Sequence, residues 1–251
     1  MDIFDFPDDN AFGSDPAQNA NITETVQEPA PERDDVYYFD VIVFKVENTL
    51  FRVPKNGFDV PGSFFETMFS LPGPGENGEQ LEGTDDEHPL SLVGISKAHF
   101  RGFLRVMYPF KGSAFTYDEW LGALHLGTQW DFTDIRNKSI EALSTLIQNK
   151  SASEKILLAK EYGVKQWLLD GCSQLVTQTA ALDLDQLCQS RLDALTVARL
   201  LSIRESVHML RGQNHNACYY CAQNIGAYSV TESDAQALVT QKFASDLATM
   251  A

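Results

Sequence analysis

The chain has 251 residues, 43 % of them hydrophobic, and a formal charge of −16. That length and apolar content allow one large domain or two small ones around a sizeable core, and the charge, with no basic stripe to neutralise phosphates, excludes nucleic acid as a partner. No run approaches the roughly 20 apolar residues of a membrane-spanning helix, and the opening MDIFDFPDDN lacks the basic residues and apolar core of a targeting signal, so no membrane partner and an intracellular location, cytoplasmic or nuclear, are expected.

In chain order, residues 1–35 come first, with ten acids and one base and few large apolar side chains. Such a segment cannot bury enough surface to offset its ordering entropy, so a disordered acidic tail is expected, with Ile3-Phe4-Asp5-Phe6 as an acidic-aromatic cluster on it. Val41-Ile42-Val43-Phe44-Lys45-Val46 is β-branched and aromatic, as a well-buried strand should be. Glu47-Asn48-Thr49 supplies a polar turn, and Leu50-Phe51-Arg52-Val53 returns as a second strand stopped by Pro54. Ser63–Ser70 follows as a short helix carrying Phe64, Phe65, Met68 and Phe69. At 3.6 residues per turn, Phe65, Met68 and Phe69 share a face and Phe64 lies about 100° away. One face must enter the core, and an aromatic left on another face is a candidate for a partner contact.

Residues 71–87 are rich in Pro, Gly and acids, with six acids and no base over 76–87, and read as a solvated loop. Pro89–Val93 reads as a third short strand. Ser96 caps a helix over Lys97–Tyr108 with Phe100, Phe103, Leu104 and Met107 on one face. Thr116 with Glu119 forms a capping box for the next helix, and Thr133 is expected to cap another bearing Ile135, Ile140, Leu143 and Ile147. Ser151 or Ser153 opens a helix ending near Tyr162, and Gly163 breaks the pattern before Val164–Leu169 starts the next. The segments Asp183–Gln189 and Ala194–Leu210 continue the helical block. From Gln213 the chain is polar and less periodic, and Asp234–Ala248 reads as one further helix. The expected fold class is α+β: a small three-stranded sheet capped by helical hairpins over 36–149, an all-α extension over 150–212, and a tail over 213–251.

Several motifs bear on chemistry. Gly73-Pro-Gly75-Glu-Asn-Gly78 matches G-x-G-x-x-G, but a helix precedes it and carboxylates follow, the reverse of what a pyrophosphate needs. His208, His215, Cys218 and Cys221 offer four possible zinc ligands, of which only Cys218-x-x-Cys221 has suitable spacing. The alternative for that pair is two reduced cysteines. All four cysteines lie in the second half of the chain and do not resemble a secreted disulfide framework. No nucleophile elbow, P-loop, metalloprotease helix or kinase signature is present, so the chain reads as non-enzymatic and without a cofactor.

The order of these segments resembles a BTB/POZ domain, most closely the short fungal BTB proteins. The resemblance rests on Asp40-Val41, Phe51-Arg-Val-Pro-Lys55, Ser63-Phe-Phe-Glu-Thr-Met68-Phe69, Pro89 to Phe100 and Leu104-Arg-Val-Met-Tyr108, with Glu154 to Leu169 resembling the helical extension. It implies a protein–protein interaction module with a truncated BACK-like region. Many members form homodimers and some recruit cullin-3 as adaptors for ubiquitin ligases. In dimeric members an acid at the start of the first strand and a base after the second line a charged pocket, and Asp40 and Lys55 occupy those places. Where cullin-binding members often carry a hydrophobic-x-acid motif, this chain has Leu71-Pro-Gly-Pro-Gly75. The expected contact residues are therefore Asp40, Lys55, Phe64, Phe65, Met68 and Phe69. The expected partner is a second copy, a scaffolded protein or cullin-3. An enzyme or zinc protein built on the 208–221 cluster is the alternative from another class.

Overall fold

A computed structural model describes residues 31–70, 82–110, 112, 114–178, 180, 182–212 and 231–250. The chain divides into a unit ending at Tyr38 and a second unit from Phe39 onward. In the first, the Asp34 carboxylate accepts the N–H groups of Val36 and Tyr37 at 2.9 and 2.7 Å, which pulls its pKa below the usual range and closes a turn.

The second unit is α+β. Strands β1 (Val41–Val46) and β2 (Thr49–Pro54) form an antiparallel hairpin, and β3 (Leu90–Leu92) pairs with β1 in parallel, giving the order β2-β1-β3. The turn forces Glu47 to φ 54°. The period of two sends Ile42, Phe44 and Val46 into the core and leaves Val41 and Lys45 outside. A 3-10 turn at Lys55–Gly57 leads to helix α1 (Phe64–Ser70). The end of the acidic loop departs from the solvated reading. Gly83 is buried, its carbonyl accepts the Val43 N–H at 2.9 Å, and its own N–H donates to the His88 carbonyl. The Asp85 carboxylate shapes that return by accepting the backbone N–H of His88 at 2.8 Å and lying 3.0 Å from His88 Nδ1.

Helices α2 (Lys97–Met107) and α3 (Tyr117–Gln129) form a tight hairpin, and α4 (Thr133–Leu146) follows. Ser96 caps α2 and the Thr116–Glu119 capping box opens α3, both as expected. Thr133 is not a cap. Asp131 takes a left-handed φ of 60°, the Phe132 N–H returns to the Gly127 carbonyl, and the cap position falls to Phe132, whose side chain is buried instead of bonding backbone. Helix α5 (Ala152–Tyr162) starts at a Ser151–Glu154 capping box. It ends at Gly163, φ 65°, where the Val164 N–H bonds the Ala159 carbonyl. Helices α6 (Lys165–Thr177), α7 (Leu184–Gln189) and α8 (Ala194–Gly212) complete the extension. The expected single helix near the C-terminus is two, α9 (Glu232–Lys242) and α10 (Ala244–Ala248). The break falls at Phe243, which turns fully into the core.

Two apolar clusters hold this unit together. One lies under the sheet and is strongly aromatic: Phe44, Phe58, Phe65, Phe100, Phe103, Trp130 and Phe132 meet mostly edge to face at 4.8–6.5 Å. The other is aliphatic and joins α5, α6, α8 and α9 around Trp167, Leu168, Ile203 and Val239.

Candidate functional site

The hairpin end and α1 carry the residues singled out as contacts. Ser63 is the local organiser: its hydroxyl accepts the Glu66 N–H at 3.2 Å, while the Glu66 carboxylate reaches back to the Gly62 N–H at 2.7 Å. The Phe64 N–H donates to the Trp130 carbonyl at 3.1 Å, so the start of α1 is tied to the end of α3. This fixes which aromatic goes where. Phe65 is fully buried and makes edge contacts with Phe44, Phe58 and Trp130. It is a core residue and has no surface to offer a partner, so it leaves the set of contact residues. Phe64, on the other face, is 50 % exposed, with its ring resting against Phe65 at 5.3 Å. Met68 and Phe69 are half-buried.

Asp40 and Lys55 lie at one end of the hairpin, joined through the backbone: the Lys55 N–H donates to the Asp40 carbonyl at 2.7 Å. Their charges do not pair. The Lys55 ammonium sits 4.4 Å above the Phe69 ring centre, a cation–π contact, and the Asp40 side chain is exposed. The charged pocket implied for this pair is therefore an exposed acid beside a base already resting on an aromatic face. The outer face of the sheet adds Val41 and Leu50, both exposed. Val41 is opposite Pro54 and Leu50 opposite Lys45 in the register.

An open groove of about 610 Å³, which the sequence did not announce, lies at the corner between β1, β3 and α2. Lys45, Glu47, Leu92, Val93 and Ile95 line it, and Val93 is 92 % exposed. Its shape follows from Glu47, whose strained backbone sends the carboxylate to the Lys97 N–H at 3.2 Å in the first turn of α2. The signal available in the sequence was the acid at the turn, which is ambiguous because most turn acids face water.

Deeper polar contacts were also invisible to spacing. The Lys160 ammonium meets both Asp193 and the buried Thr196, and Asp193 in turn caps the start of α8 through the Thr196 N–H at 2.8 Å. The Lys160 contact holds the Asp193 carboxyl well below the usual range. Buried Arg204 donates to the carbonyls of Leu175 and Ala180, satisfying the end of α6. Trp130 and Trp167 are core residues and half-buried Trp120 packs against both clusters, with Trp167 Nε1 donating to the Ser144 hydroxyl at 2.8 Å. His88 pairs with Asp85, and Glu66 spends its carboxylate on the Gly62 N–H. Of the possible zinc ligands, His208 is exposed on α8, while His215, Cys218 and Cys221 lie outside the described residues. Among the described residues, no three metal-ligating side chains cluster, and no helix is long and apolar enough to cross a membrane. No protein-family model, curated protein or solved structure matches the chain.

Proposed function

We propose that this chain is a protein–protein interaction module of the BTB/POZ type that self-associates or scaffolds a partner. The observation that carries the reading is the order of elements: an antiparallel hairpin, a Met-Phe helix, a third strand parallel to the first, and a helical hairpin packed below. That is the order the motif resemblance implies for residues 36–149. The aromatic left over on α1, Phe64, and the apolar outer-face residues Val41 and Leu50 supply surface of the kind that protein partners cover. The helical extension widens the surface without requiring a second module.

Self-association is tested by light scattering on the full chain across a concentration series. A mass of two chains that falls to one in a Phe64→Ser variant supports the reading. A strict monomer at high concentration removes self-association and leaves a docking module. Retention of cullin-3 on immobilised protein at micromolar concentration, lost in the same variant, supports the adaptor role; no retention removes it.

A further inference from the structure

Helices α2 and α3 cross at glycine. A methyl group on Gly122 would stand 2.6 Å from His99 Cα and 3.0 Å from His99 Cδ2, so the His99 ring lies directly on α3 with its Cδ2 edge inward. One turn along α3 from Gly122 stands His125, and the two imidazole centres are 5.6 Å apart with their planes inclined by 53°. Both side chains are half-buried, hence held in place yet reachable from solvent. Neither ring hydrogen-bonds another described residue. The Tyr162 ring stands edge-on to His125 at 6.3 Å.

We propose that His99 and His125 form a two-histidine site for a divalent transition-metal ion of the zinc class, bridging α2 and α3 with water completing the coordination. The spacing fits: with Zn–N bonds of about 2.1 Å and tetrahedral geometry, two imidazole centres sharing one ion stand roughly 5 Å apart. Neutral imidazole is a preferred ligand for such ions, and two rings without other partners lose no hydrogen bond on binding one. The site is independent of the interaction reading.

The test is calorimetric titration of zinc alone into the full chain carrying Cys218→Ser and Cys221→Ser, near neutral pH. The expected result is one ion per chain in the micromolar range. Affinity should fall at least about tenfold in both His99→Gln and His125→Gln, and on acidification, because protons compete for the ring nitrogens. No binding at micromolar zinc, or binding that either variant leaves unchanged, overturns the proposal. Should a variant fail to fold, the imidazole resonances of the otherwise unchanged chain decide: those of His99 and His125 must shift on zinc addition, and unshifted rings overturn the site.

Discussion

Gly102→Ala tests the packing of α2 against α3 most directly, because local and tertiary effects have opposite signs. In an isolated helix the change gains about 1 kcal/mol. Here the new methyl would press on the Glu119 carbonyl oxygen, with the Glu119 Cα at 3.0 Å. Backbone cannot rotate away as a side chain can, so the helices must part. Over-packing of this kind costs about 1–3 kcal/mol, and contact with backbone places it at the upper end. The net expectation is a loss of about 2 kcal/mol, and for a unit of this size each kcal/mol moves Tm by roughly 2–4 °C. Thermal unfolding followed by circular dichroism should therefore show Tm lower by about 4–8 °C. Gly122→Ala pushes the same pair of helices apart at His99. Once one methyl has separated them the second meets less resistance, so the double variant should fall short of the sum by more than about 0.5 kcal/mol. A higher Tm for Gly102→Ala would refute the close approach, and strict additivity would refute a shared displacement.

Phe65→Ala should cost about 3–5 kcal/mol in urea unfolding, whereas Phe64→Ala, half exposed, should cost under about 1 kcal/mol; equal losses would contradict the assigned faces of α1. Asp193→Asn keeps an amide oxygen for the α8 cap but loses the Lys160 charge contact, and should lower stability by up to about 1 kcal/mol. Because the folded carboxyl is held below its unfolded pKa, that contribution is full above the ordinary Asp range and lost as pH falls through the folded value. The Tm gap between the wild-type chain and the variant should thus narrow on acidification, and a gap that widens would be inconsistent with the depressed pKa. Burial pushes the Cys172 thiol up to about 12, so iodoacetamide should leave it unmodified in the folded chain and label it in urea; rapid native labelling, located by peptide mass, would count against its placement.

What was legible in the sequence was local. The capping box at Thr116, the cap at Ser96 and the stop at Gly163 are set by a few neighbouring residues, and each stands where the residues put it, while of Ser151 and Ser153 the structure uses Ser151, whose hydroxyl and Glu154 close a box. The hairpin and the faces of α1 follow from periods of 2 and 3.6. Thr133 misled because a side chain that suits a cap does not decide where the previous helix stops. Asp131 in the left-handed region made that decision, and nothing in an Asp says so beforehand. Phe65 looked like a contact residue because its neighbours fixed only a face, and burial depends on Phe44 and Trp130, distant in sequence. The histidine pair and the Lys160–Asp193 contact join residues 26 and 33 apart, with no periodic signature to connect them.

Helix α3 decides how the sheet-bearing part and the helical extension relate. Ala123 and Leu126 belong to the aromatic cluster beneath the sheet, Leu124 to the aliphatic cluster of the extension, and Trp120 packs on both. A helix that buries opposite faces in two clusters cannot be released by one while the other stays intact. The Ser151 capping box marks where the chain turns after α4, but core continuity, not a turn, decides where a protein comes apart. The Arg136 guanidinium strengthens the same tie, reaching from α4 to the Tyr162 carbonyl at 2.9 Å. A partner bound at α1 would therefore load, through the Phe64–Trp130 hydrogen bond, the very helix on which the extension is built. In that arrangement the extension braces the sheet-bearing part, and its sequence is constrained by packing on α3.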